Sequence, residues 1–137
     1  MRLRHGTKVI AQKRNWDCGI ACLAMLLNLS YGDVMIAAKG YWPRLPPNKR
    51  GIALHEMEDF AQDVFGVELE RIYRAAGYLE GQRGVLGIVG GTMDAAGHWV
   101  FLKNDQTIID PDDEQVYDLN EYLRENRCRA ATLLVVA

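Results

Sequence analysis

No stretch of this chain approaches the roughly 20 consecutive apolar residues that cross a bilayer, so no membrane span is expected. Met1-Arg2-Leu3-Arg4-His5-Gly6 carries basic groups with no apolar segment behind them, so a secretory signal is not expected either. There is no long block of one charge sign. With 16 basic and 18 acidic residues and a formal net charge of -2, a nucleic-acid or anionic-membrane surface is not indicated. Cysteine is scarce and odd in number, at three, and Cys18 and Cys22 stand one helical turn apart. Free thiols in a reducing compartment, and hence a cytoplasmic location, are the simplest expectation. Neither repeats nor low-complexity segments occur. The spacing of Cys18, Cys22, Cys128 and His98 matches no paired zinc-ligand pattern. Asp112-Asp113-Glu114 lacks the alternation of a calcium loop and reads as a solvated turn. No metal or cofactor is expected.

What is present suits one domain over residues 1–137: apolar residues make up 49% and charged residues 25%, the profile of a globular protein with one core. Thr7 to Ala11 reads as a weak strand or extended arm. Ile20 to Leu27 is apolar all the way round, which predicts a helix from about Cys18 to Leu29 buried on every side. Asp33, after the turn Ser30-Tyr31-Gly32, is placed to cap a second helix through about Lys39. Trp42-Pro43 and Leu45-Pro46-Pro47 force extended backbone between Gly40 and Gly51. Leu54, Met57, Ala61 and Val64 recur at helical spacing, with Gly66 as a C-terminal stop. His5 and His55 read as surface residues.

After Gly66 the pattern turns to strands, around 67–72, 85–89, 98–102, 108–109 and 132–136, with short helices expected at 74–80 and 119–124. Both faces of His98-Trp99-Val100-Phe101-Leu102 are apolar, so this strand belongs inside the sheet. Helices first and then a mostly antiparallel sheet define an α+β fold.

The chemistry gathers on Trp16-Asp17-Cys18-Gly19-Ile20-Ala21-Cys22. Asp17 can cap the buried helix, which puts Cys18 at its N-terminus, where the peptide dipoles and free N–H groups favour a thiolate. Thiol catalysis also needs a proton carrier, a group to orient it and donors for an oxyanion. His98 opens a buried strand after the flexible loop Gly90 to Gly97. If 98–102 and 107–110 form a hairpin, Asp110 comes beside His98 and holds its imidazole. Gln12, six residues before Cys18, offers a side-chain amide that with the Cys18 N–H forms an oxyanion hole. Cys22 is expected to be packing, Cys128 an incidental thiol, and Gly90-Gly91 a hinge or turn.

Gln12, the string DCGIACLAML, the string HWVFL and the pair Asp110-Pro111 resemble the bacteriocin-processing, double-glycine-leader peptidases, over about residues 8 to 135. The resemblance implies a papain-like cysteine peptidase fold, with the buried nucleophile helix packed on the sheet that carries His98 and Asp110. It implies a peptide or protein substrate. Such peptidases are commonly fused to export transporters; none follows in this sequence, which favours peptide cleavage over leader cleavage in particular. The same four residues also suit a papain-like domain with other acyl chemistry, such as deamidation, crosslinking or isopeptide cleavage, or a non-catalytic peptide-binding module. The sequence does not indicate an oligomeric state.

Overall fold

The computed structural model describes residues 9–48, 51–73, 79, 81–90 and 98–137. Helix α1 (Cys18–Leu27) is apolar at every turn, and Gly19 to Leu26 are all buried. It ends where Asn28 turns into the left-handed region at φ 57°, its N–H returning to the Ala24 and Met25 carbonyls. Helix α2 (Tyr31–Tyr41) starts three residues earlier than expected. The Ser30 hydroxyl accepts from the Asp33 N–H at 3.0 Å, so Ser30 is the cap and Asp33 sits inside the first turn. Helix α3 (Leu54–Phe65) is held at its start by Glu56, whose carboxylate reaches back to the Ala53 N–H at 2.8 Å. Gly66, at φ 68°, ends it. Its buried face is Met57, Phe60 and Ala61; Val64, expected inward, is exposed, because the neighbouring helix α2 meets α3 through Phe60.

The strands β1 (Leu69–Tyr73), β2 (Gly84–Val89), β3 (His98–Leu102), β4 (Thr107–Asp110), β5 (Gln115–Asp118) and β6 (Arg129–Val136) form one sheet, with helix α4 (Leu119–Glu125) before the last strand. Its order is β1-β6-β2-β3-β4-β5, and every pairing is antiparallel. The mixed α+β class expected from the sequence is what the chain adopts. β3 is an interior strand, and β3 and β4 form the expected hairpin, with Phe101 opposite Ile109 and Leu102 opposite Ile108.

Strand alternation divides the core in two. Val85, Phe101, Ile109 and Leu134 point to the helical layer of α1, α2 and α3. Leu86, Ile88, Val100, Leu102, Ile108 and Leu133 point the other way, onto Leu119 and Tyr122 of α4. Each such side chain, fully buried, contributes about 1.5–3 kcal/mol of transfer free energy. Residues 9–11 carry no regular structure, and the rest of the arm expected there lies outside the described residues. The short helix expected at 74–80 and the surface reading of His5 fall on positions outside the described residues, Leu79 apart.

Candidate active site

Antiparallel pairing of β3 with β4 sets the start of one strand beside the end of the other. His98 and Asp110 meet there: Nε2 of the imidazole lies 2.7 Å from Oδ1 of the carboxylate. The two side chains are only 15% and 9% exposed, so this is a sheltered pair and not a solvated surface contact. Cys18, the first residue of α1, arrives from the helical layer within hydrogen-bonding reach of the same ring. With Nε2 taken by Asp110, Nδ1 is the nitrogen left for the sulfur. Three residues spread over 93 positions of sequence thus converge at one end of the sheet.

Burial acts to strip the charge from His98, yet its hydrogen bonds to Asp110 and Cys18, and their negative charges, outweigh that and raise the imidazole from 6.5 to about 10. Burial works against the Asp110 charge too. The imidazole beside it, the Asp112 N–H at 3.0 Å and the Tyr122 hydroxyl at 2.8 Å nevertheless hold the carboxyl below its usual range. Tyr122, from α4 on the far side of the sheet, is a member of the site that the sequence did not reveal. A tyrosine in a seven-residue helix reads as core, and nothing local says that its hydroxyl points at the end of β4.

Asp17 corrects an expectation. It occupies the N-cap position of α1 but makes no side-chain hydrogen bond to the helix. Its buried carboxylate instead turns back, accepting from the Lys13 N–H at 3.1 Å and the Arg14 N–H at 3.0 Å, and from the Tyr31 hydroxyl of α2. Cys18 is at the helix start as expected, by backbone alone, since the Asp17 carbonyl accepts the first helical bond from Ala21.

Gln12 is tied to the site through its main chain: its N–H donates to the Pro111 carbonyl at 2.9 Å, next to Asp110. Its side-chain Nε2 donates to the Arg14 carbonyl at 2.6 Å, which uses one of two amide hydrogens and leaves the other. Its Oε1 is buried and meets no partner among the described residues.

Beside the sulfur runs a cleft of about 310 Å³, with Trp16, Ile52, Leu54, His98, Trp99 and Thr132 in its lining. Trp99 is fixed by its Nε1, which donates to the Ile52 carbonyl at 2.9 Å. Gly19 gives it room, since a Cβ there would sit 3.2 Å from Trp99 Cδ1 and 2.8 Å from Met57 Cε. Next to Ile52, Gly51 lies so close to Trp16 that a Cβ would meet the Trp16 carbonyl oxygen at 2.8 Å, and its φ of +125° suits glycine alone.

Cys22 is fully buried below Cys18, and burial raises its thiol well above the ordinary range, as packing requires. Cys128 packs with the α4 side of the sheet while Cys22 packs with the helical side, so the two cannot share a metal with Cys18. Gly90 turns the chain after β2 at φ +89°; Gly91 and the rest of the expected loop lie outside the described residues. His55 is exposed, as expected.

A buried helix that presents a cysteine at its N-terminus to a histidine and an acid on an antiparallel sheet is the architecture of papain-like cysteine peptidases. Residues 6–121 match the model of the Peptidase C39 family, and the chain belongs to that family. It is a cysteine peptidase, a hydrolase whose substrate is a peptide or protein. No curated protein matches it. No single helix among the described residues is long and apolar enough to cross a membrane.

Proposed function

We propose that the chain hydrolyses peptide bonds through Cys18, His98 and Asp110, with the Gln12 side chain and the Cys18 N–H as oxyanion donors. The observation that carries this reading is the His98 ring, shared between the Cys18 sulfur and a buried carboxylate at 2.7 Å beside an open cleft. An imidazole raised to about 10 holds its proton at neutral pH, the proton a departing amine needs.

In this mechanism the sulfur attacks the scissile carbonyl carbon and the oxygen takes up the negative charge. The two N–H donors stabilise that oxyanion, an effect worth roughly 10²–10³ in kcat for one donor. Collapse breaks the C–N bond as His98 gives its proton to the departing amine. A water, deprotonated by His98, then attacks the thioester and releases the acid and the thiol. Asp110 stays ionised throughout and fixes the ring plane.

Family membership supports a double-glycine leader as the substrate. Glycine at the residue supplying the carbonyl also suits a cleft lined beside Cys18 by two indoles, Trp16 and Trp99. The three unpaired cysteines support a reducing, cytoplasmic setting.

A peptide-library digest comparing wild type with Cys18→Ala tests the reading. Cleavage by wild type alone, with sites grouped after Gly-Gly, is the expected result. Cleavage after unrelated residues would remove the leader reading and keep the peptidase; equal products from both proteins would remove the nucleophile.

A further inference from the structure

Cys18 and Gln12 are separated by a five-residue loop whose geometry an oxyanion hole cannot leave to chance. A donor misplaced by about 1 Å can cost a hundredfold in rate. We propose that Asp17 is the positioning residue of this hole, acting through the Gln12 loop and locked in turn by Tyr31. The inference rests on the assignment of Gln12 as an oxyanion donor made above.

The connections run from atom to atom. Asp17 Oδ1 accepts from the Arg14 N–H at 3.0 Å, and the carbonyl of that same Arg14 accepts from Gln12 Nε2 at 2.6 Å. Oδ2 accepts from the Lys13 N–H at 3.1 Å, so two successive amides of the loop are pinned by one carboxylate. The Tyr31 hydroxyl, from the first residue of α2, closes on Oδ2 as well. Burial and the hydrogen bond to Asp17 keep that phenol protonated far above its ordinary 10. Its ring also lies 5.5 Å from the Lys13 ammonium, which holds it against the loop from outside. The far end of the loop is anchored independently by the Gln12 N–H on the Pro111 carbonyl. Gln12 is therefore gripped on two sides, one reaching the Asp110 end of the sheet and one reaching Asp17.

The carboxylate is not spent on the helix that Asp17 precedes. An aspartate at an N-cap ordinarily spends its oxygens on the first-turn amides of its own helix. Asp17 makes no such bond. Turned backwards, its carboxylate serves the loop that carries Gln12 and leaves the first turn of α1 without a side-chain cap. One buried side chain, 0% exposed, is thus committed to the Gln12 loop and not to its own helix.

The test is a double-mutant cycle on a peptide that wild type cleaves in the digest, run beside the rate of Cys18 alkylation by iodoacetamide. Alkylation needs the thiolate and builds no oxyanion, so it separates the hole from the nucleophile. Asp17→Ala is expected to lower kcat about a hundredfold with KM little changed. In a Gln12→Ala background the same substitution is expected to add less than about threefold, because the residue it positions is already gone. Alkylation should stay near the wild-type rate in both. Asp17→Asn keeps an acceptor for Arg14 and is expected to recover most of the loss; Tyr31→Phe should lose about tenfold and show the same non-additivity. Should Asp17→Ala fail to fold, Asp17→Asn and Tyr31→Phe carry the cycle alone. Full additivity with Gln12→Ala, or alkylation falling in step with kcat, overturns the proposal and makes Asp17 a structural support of α1. If Gln12→Ala itself keeps wild-type kcat, the oxyanion assignment fails and this inference with it. If Gln12→Ala is impaired and Asp17→Ala is not, only the positioning role fails.

Discussion

Among the described residues only two charged side chains are buried, Asp17 and Asp110, and each accepts a hydrogen bond from a tyrosine on a neighbouring helix. Asp17 and Tyr31 belong to the helical layer; Asp110 and Tyr122 belong to the sheet and the helix behind it. The plan is the same and the remaining partner differs. Asp110 spends its other oxygen on an imidazole, a group that can exchange protons, whereas Asp17 spends its own on backbone amides that cannot. On the proposed mechanism, removing Asp110 changes which proton is where, and removing Asp17 changes only where a loop lies. A buried carboxylate is costly unless every oxygen is satisfied, which is why each needs its tyrosine.

The largest expected effect follows directly. Asp110→Asn should lower kcat by about 10⁴, the scale on which a triad acid acts when its loss leaves the imidazole in the wrong tautomer. Asp17→Asn should lose far less in the same steady-state assay. Equal losses would dissolve the distinction between a carboxylate that holds a proton carrier and one that holds a loop.

The next effect is on stability as pH changes, and it belongs to one side alone. The folded state raises His98 from 6.5 to about 10, so it binds this proton more tightly than the unfolded chain. The resulting stabilisation is complete below 6.5 and drains away as pH rises through about 10. Asp110 is lowered from 3.8, so its contribution is present above that value and lost as pH falls through the lowered one. Denaturant unfolding of wild type and His98→Gln should thus differ most between pH 3.8 and 6.5 and converge toward pH 10. The gap between Tyr31→Phe and wild type should stay flat from pH 6.5 to 10, and a slope there would place a titrating partner on Asp17 as well.

How much of this was legible beforehand depends on how far each interaction reaches along the chain. α1, its start at Cys18, the β3–β4 hairpin and the convergence of His98 with Asp110 all follow from patterns a few residues long. The capping rule failed at Asp17 because it sees only the helix that follows; Tyr31, 14 residues away, and the preceding loop compete for the same oxygens and win. Strand β5, Gln115-Val116-Tyr117-Asp118, was missed for another reason. It is an edge strand, exposed along most of its length, so no alternation of apolar and polar residues marks it. Tyr122 was invisible since its partner lies across the sheet.

A smaller effect probes the tyrosines as a pair. Tyr122→Phe strips Asp110 Oδ2 of a buried donor and should cost about 1–3 kcal/mol by denaturant unfolding. Tyr31→Phe should cost a similar amount, since Asp17 Oδ2 loses its hydroxyl but keeps the Lys13 amide. The two variants should part in their pH–rate profiles: Tyr122→Phe moves a limb and Tyr31→Phe lowers the plateau without moving one. Profiles of one shape would mean that both carboxylates feel the imidazole.

The smallest expected effect lies at the opposite end of α1, where no chemistry is done. Arg83 donates from Nη1 to the Leu26 carbonyl at 3.3 Å and from Nη2 to the Met25 carbonyl at 3.1 Å, and its guanidinium lies 5.0 Å from the Phe101 ring centre. A cation there satisfies carbonyls that the helix cannot, and meets the negative end of its dipole. Burial lowers the pKa of the guanidinium, so part of that gain is offset by lost hydration. Arg83→Met keeps the packing of the stem and removes both hydrogen bonds. It should cost about 1–2 kcal/mol in unfolding, with kcat and Cys18 alkylation unchanged. Cys18, the nucleophile of the proposed mechanism, sits in the first turn, where the dipole acts within about one turn, and α1 is 10 residues long. A slower alkylation in Arg83→Met would show that the far end of α1 reaches the sulfur after all.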